Sequence, residues 1–167
     1  CMSEKLYDII EIHNLKDMLN KTKEMYKDKI AYKIRKKENE KEYINLIENR
    51  LTAYRCHHSL CVAKKARELA EKYGADAEKA YVAGILHDVM KEEKTDVQLA
   101  EIKKAGWTLT DLEMNNPKVH HQISGAAFVK NELGITDDDI IGGIRYHTTG
   151  HSNMTLFEMI IYLADFT

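Results

Sequence analysis

"AGILHDVMKEE", residues 83–93, sets His87 beside Asp88 in a run that otherwise reads as an apolar helix. Neighbours of those two chemistries, once buried, need a hydrogen-bonding partner or a cation, because an unpaired charge in an apolar interior is costly. Upstream, "HHSLCVAKKARELAEKYG" carries Leu60, Ala63, Ala66, Leu69, Ala70 and Tyr73 on one helical face, with Gly74 as its stop. Asp76 is placed to cap the helix that brings in His87 and Asp88 near its C-terminal end. "YINLIENRLTAYR" precedes both as a further helix. Downstream, residues 94–120 predict a short helix, a turn around Gly106 and a break at Pro117, the single proline. "HQISGAAFVKNELG" is a helix that stops at Gly134. "TDDDIIGGIRYH" opens on a cap formed by Thr136 and Asp139, and "TLFEMIIYLADF" on a capping box formed by Thr155 and Glu158. The expected fold is all-α, a compact helical bundle over residues 43–167.

Residues 1–42 form an N-terminal extension of different character, rich in lysine and balanced by acids. Within it, Leu15, Met18, Leu19 and Met25 are spaced as one helical face, whereas "KIAYKI" alternates and predicts a short strand. The 167 residues carry a net charge of −2, which offers no field that would draw nucleic acid. No apolar run approaches the roughly 20 residues of a membrane span, and Glu4, Lys5 and Asp8 interrupt any signal-peptide pattern. Cys1, Cys56 and Cys61 have no zinc spacing, and their odd number argues against a disulfide framework. The expected setting is cytoplasmic, with neither a nucleic acid nor a membrane as partner.

Seven of the eight histidines fall between His57 and His151. His58, His87 with Asp88, His147 and Asp165 each sit near a helix end or in an apolar face, joined by His121 at the start of another helix. Singly, each has a plain structural explanation: His58 as a hydrogen-bonded core residue, His87-Asp88 as a common dipeptide, Asp165 as a cap or ion-pair partner. Their ordered occurrence across one helical domain points instead to a divalent metal, which needs neutral imidazoles and carboxylates converging at about 2.0 to 2.2 Å. A carboxylate such as Asp88 has two oxygens and can bridge two ions. His13, His57, His120 and His151 are left outside the set.

"YRCHHSLCVAKKARELAEKYGAD", "AGILHDVMK", "HHQISGAAF" and "IRYHTTGHSNMTLFEMIIYLAD" resemble, in order and spacing, the HD-domain proteins of the YqeK type. These are symmetrical bis(5′-nucleosyl)-tetraphosphatases, which cut diadenosine tetraphosphate into two ADP. The resemblance covers about residues 43–167. It implies that His58, His87, Asp88 and Asp165 hold one metal, that His121 and His147 complete a second, and that Asp88 lies between them. The implied cofactor is a two-metal centre, of iron in the family, with manganese or cobalt as alternatives. The implied reaction is attack on a phosphorus of the nucleotide by a metal-activated water near Asp88. Lys91 matches the lysine of the family's HD-x-x-K and is expected to bind phosphate, as are Arg145 and Thr148, though a dipole-facing lysine, a surface ion pair and a turn cap are the ordinary alternatives. A homodimer is a further expectation from the resemblance.

The pattern departs from the family in three places. His151 stands where arginine is more usual. The match runs out at Thr167, where the family pattern continues with an acidic-proline-arginine segment and a further helix. Residues 2–44 resemble instead the start of an AMP-forming acyl-CoA synthetase, without its adenylation motifs. Competing functions are therefore hydrolysis of another nucleotide and a catalytically disabled nucleotide- or metal-binding domain.

Overall fold

The computed structural model describes the backbone from Leu15 to Phe166 and, outside part of the first helix, the side chains along it. His13 and the proposed apolar face of Leu15, Met18, Leu19 and Met25 lie outside the described side chains. Every regular element among the described residues is helical: α1 (Leu15–Arg50), α2 (Ala53–Tyr73), α3 (Ala77–Leu86), α4 (Thr95–Lys104), α5 (Asp111–Met114), a 3₁₀ turn (Pro117–Val119), α6 (His120–Asn131), α7 (Asp138–Tyr146) and α8 (Leu156–Asp165). The strand expected at "KIAYKI" is not formed; residues 29–34 are part of α1. Alternation over six residues is too short to compete with lysines and glutamates on both sides, which favour a continuous helix. The chain divides into two units, one ending at Glu40 and one running from Lys41 onward.

The second unit is built around α6, whose residues His120 to Val129 are all buried, as befits a helix enclosed on every side. It packs on α4 and α7; α2 packs on α3 and α8, and α7 also meets α8. Ile47, Val62, Ala63, Leu86, Ile144, Ile160 and Ile161 lie in the shared core. A smaller cluster of Ile102, Val119 and Ile123, covered by Leu99, Trp107 and Leu109, ties the 94–120 excursion to α6.

Local signals set the helix ends. Gly74 takes φ +82° and closes α2, its N–H donating to the Ala70 carbonyl, a conformation that costs glycine little. Asp76 caps α3 by accepting from the N–H groups of Glu78 and Lys79. Thr155 and Glu158 form the expected capping box on α8. At α7 the cap is Asp137 rather than Thr136, with its carboxylate accepting from Asp139 and Ile140. That carboxylate also binds Lys79 Nζ at 2.7 Å, a pairing a threonine hydroxyl does not offer.

α3 must lie against α2 at close range. A Cβ at Gly84 would fall 2.5 Å from Ala63 Cα, so only glycine permits the crossing. The residues after Asp88 complete the fastening. Glu92 accepts from the Thr52 N–H and hydroxyl at 2.6 and 2.7 Å, and Glu93 accepts from Arg50 Nη2 at 2.7 Å. The helix that carries His58 is thereby fixed to the turn that carries His87 and Asp88.

Candidate metal centre

The sequence-predicted ligands come from five helix ends or faces and converge. His58 projects from α2, His87 caps the end of α3, His121 opens α6, His147 caps the end of α7, and Asp165 ends α8. His58 Nε2 lies 2.8 Å from Asp165 Oδ1, and His87 Nε2 lies 3.4 Å from that oxygen and 3.5 Å from Asp88 Oδ2. The other Asp88 oxygen, Oδ1, is 3.5 Å from both His121 Nε2 and His147 Nε2, which are 3.2 Å from each other. Three groupings have ligand atoms within 4.8 Å of one another: His58, His87 and Asp88; His87, His147 and Asp165; Asp88, His121 and His147. Asp88 thus presents one oxygen to each side, and His147 stands between the two sides.

Three imidazoles are oriented by one device. Nδ1 of His87, His121 and His147 donates to the carbonyl three residues earlier, Gly84, Lys118 and Ile144, at 2.7, 2.8 and 2.8 Å. A carbonyl can only accept, so each Nδ1 carries a proton and Nε2 faces inward, the orientation metal-binding histidines use. His87 Nε2 and Asp88 Oδ1 are buried without a hydrogen-bond partner. Buried polar atoms are nearly always satisfied, so this donor set, all nitrogen and oxygen, fits a divalent cation.

The electrostatics agree. Burial opposes charge on His87, yet the carboxylates of Asp88 and Asp165 beside it outweigh that and push its pKa up to about 10. Burial likewise opposes charge on Asp88, but His87 and the adjoining His147 hold its carboxyl far below the usual range. Asp165 is also lowered against its burial, mainly through His87. Burial, with the charges of His147 and Lys91, brings His121 down to about 3, and burial lowers His147. The two carboxylates thus favour positive charge at the inward face of His87, between Asp88 and Asp165.

Lys91 Nζ reaches His121 Nε2 at 3.0 Å and Asp88 Oδ1 at 3.9 Å, so its ammonium occupies the direction of a lone pair that a metal would take. Thr148 Oγ1 is 3.2 Å from the same nitrogen. Lys91, Lys118, His121, Thr148, Gln98 and Pro117 line a cleft of about 450 Å³. Arg145 is not brought to this cluster: its Nη2 pairs with Glu113 Oε1 at 2.5 Å, and it lines a separate cavity with Trp107 and Tyr146. Two residues before His147 on a helix is about 200° around the axis, which explains the divergence. His57 sits with Cys61 on the exposed face of α2, and His120 donates through Nε2 to the Glu113 carbonyl at 2.8 Å. His151 faces Glu158 at 3.1 Å.

Sequence reasoning missed two residues. Arg55 Nη1 binds Asp88 Oδ2 at 2.9 Å; its place three residues before His58, on the same helix face, was the available signal. Gln122, fully buried, bonds the turn after His147, and only the tertiary contact reveals it.

A family model for the HD domain matches residues 55–167. The chain is 40% identical over 130 residues to a symmetrical bis(5′-nucleosyl)-tetraphosphatase of Bacillus subtilis (strain 168), covering 77% of this chain and 68% of that protein. A symmetrical bis(5′-nucleosyl)-tetraphosphatase of Halalkalibacterium halodurans is 38% identical, over 74% of this chain and 65% of the relative. Among solved structures, a predicted HD superfamily hydrolase involved in NAD metabolism from Clostridium acetobutylicum aligns with a TM-score of 0.72 at 36% identity, covering 75% of this chain and 67% of that one. The chain thus spans about two thirds of the length of these relatives. It belongs to the HD-domain family of metal-dependent phosphohydrolases, in the YqeK-type group of symmetrical bis(5′-nucleosyl)-tetraphosphatases.

Proposed function

We propose that this chain hydrolyses dinucleoside tetraphosphates symmetrically, diadenosine tetraphosphate giving two ADP, with two divalent ions held by His58, His87, Asp88 and Asp165 on one side and by Asp88, His121 and His147 on the other. The observation that carries this reading is the pair of buried polar atoms without a hydrogen-bond partner, His87 Nε2 and Asp88 Oδ1, inside a converging set of imidazoles and carboxylates. The similarity to tetraphosphatases supplies the substrate class. The nitrogen and oxygen donors, without thiolate, suit iron, manganese or cobalt, and iron is the ion we assign. The buried thiol of Cys56 and the exposed one of Cys61, both free, accord with a reducing, cytoplasmic setting.

When bound, such ions polarise a phosphoryl oxygen and make water a nucleophile near neutral pH. The chain's own residues do the rest. Asp88 spans the two halves of the centre, and Arg55 holds its Oδ2 at 2.9 Å, fixing the carboxylate plane. Lys91 and Lys118 flank the cleft beside His121 and supply positive charge for a polyphosphate, while the Thr148 hydroxyl donates to a phosphate oxygen. Attack of water on an inner phosphorus breaks the central P–O–P bridge; one ADP takes the water oxygen and the other leaves with the bridging oxygen. Arg145, committed to Glu113, has no part in this scheme.

The test combines metal analysis of purified protein with chromatography of the products from diadenosine tetraphosphate, beside Asp88→Ala. ADP as sole product, a bound transition metal and loss of both in the variant are expected. AMP with ATP would refute symmetrical cleavage, turnover of only another nucleotide would refute the substrate, metal without turnover would indicate a disabled binding domain, and absence of metal would refute the centre.

A further inference from the structure

We propose that Gln122 is a positioning residue for the His121–His147 half of the centre; the inference rests on the two-metal reading above and adds to it a residue that touches neither metal nor substrate. Gln122 follows His121 on α6 and is wholly buried. A carboxamide in such a place is costly unless its groups are paired. Here Oε1 accepts from the backbone N–H groups of Thr148 and Thr149 at 2.9 and 3.2 Å, and Nε2 donates to Thr149 Oγ1 at 2.9 Å. Those N–H groups belong to the two residues directly after His147, beyond the end of α7, while the next N–H, that of Gly150, returns to the Tyr146 carbonyl at 2.9 Å.

One side chain thus fastens the turn that carries His147 to the helix that carries His121. The atoms it serves are close together: His147 Nε2 lies 3.2 Å and Thr148 Oγ1 3.2 Å from His121 Nε2. Each imidazole is fixed about its own backbone by Nδ1, but that bond sets a ring relative to its own helix only. The separation of the two Nε2 atoms depends on how α6 and the 147–149 turn meet, and Gln122 spans that meeting. An apolar side chain of the same length would fill the space while removing the acceptor shared by the Thr148 and Thr149 N–H groups, so the turn would shift to find other partners. His58, His87 and Asp165 stand on other elements and do not depend on this bond.

The chain Cys1–Thr167 is titrated with Mn²⁺ by calorimetry and by electron paramagnetic resonance, which distinguishes a lone Mn²⁺ from a coupled pair. Wild type takes up two coupled ions. Gln122→Met keeps one ion at unchanged affinity, weakens the other by about 10- to 100-fold, the range for groups that orient ligands, and reproduces the uncoupled signal of His121→Ala. Thr149 is exposed, so its variants should fold: Thr149→Val shifts the weaker affinity in the same direction, and Thr149→Ser restores it. Two ions bound to Gln122→Met at wild-type affinities would overturn the proposal. So would loss of the fold in Gln122→Met together with a Thr149→Val that binds both ions as wild type does. Wild-type protein that takes up no Mn²⁺ would overturn the metal reading itself, an outcome visible before any variant is made.

Discussion

In the proposed centre Asp88 is the shared side chain: Oδ2 lies near His87 and Arg55, and Oδ1 near His121 and His147. Its replacement by alanine should lower turnover by about 1,000-fold, the several kcal/mol that a lost electrophile is worth, while circular dichroism stays unchanged. His87 makes a second prediction. Its proton must leave before Nε2 can bind a metal, and its pKa in the metal-free protein is pushed up to about 10. The affinity for the Mn²⁺ that His87 would hold should therefore rise with pH by up to about tenfold per unit below that value, with about one proton released on binding that ion at neutral pH, measurable by calorimetry in buffers of different ionisation enthalpy. For the metal-free fold the sign is opposite. A histidine whose pKa is raised by folding adds stability that is fully present below the ordinary value and is lost as pH climbs toward 10, so urea midpoints of metal-free protein should fall over that interval. The histidines and aspartates were legible in the sequence because their order survives without a structure. Arg55 was half legible, through its spacing from His58, whereas Arg145 looked suitable only until the helix turned it toward Glu113.

Helix ends carry this site, so the elements matter through their caps and crossings. Gly84 is the tightest constraint, with a Cβ there meeting Ala63 backbone atoms at 2.5 and 2.8 Å. Gly84→Ala should destabilise the protein by about 1–3 kcal/mol and weaken metal binding as well, since His58 and His87 would be forced apart; thermal melts with and without Mn²⁺ would separate the two effects. α8 is ten residues long with Asp165 at its end and the Thr155–Glu158 box at its start. Thr155→Ala should cost about 1 kcal/mol in a urea titration without altering the metal stoichiometry. The box, like the Asp76 cap and the Gly74 stop, was readable because capping is local chemistry. Asp137 in place of Thr136 was not, since the choice turns on Lys79, 58 positions away along the chain. The strand reading of residues 29–34 failed for the converse reason: six alternating residues say little when the helix around them runs 36 residues.

At the scale of the whole molecule, every buried hydrophobic residue described lies at Ile47 or beyond, and so does each candidate ligand. A chain beginning at Lys41 should therefore bind Mn²⁺ as the full chain does, within about twofold by calorimetry. Adding Mn²⁺ at 100 times its dissociation constant should raise stability by about 2.7 kcal/mol, seen as a higher melting temperature that a chelator reverses. No helix among the described residues is long and apolar enough to cross a membrane, in keeping with the absence of any long apolar run. The sequence by itself determined the helical class, most helix boundaries and the identity of the metal-binding chemistry, because periodicity, caps and the rarity of charged groups in apolar helices are all properties of short stretches. Only the tertiary structure decided that Asp137 caps α7, that Arg145 faces away, and that Gln122 ties His121 to His147. Those are distances between atoms far apart along the chain, and they exist only once α2, α3, α6, α7 and α8 have packed.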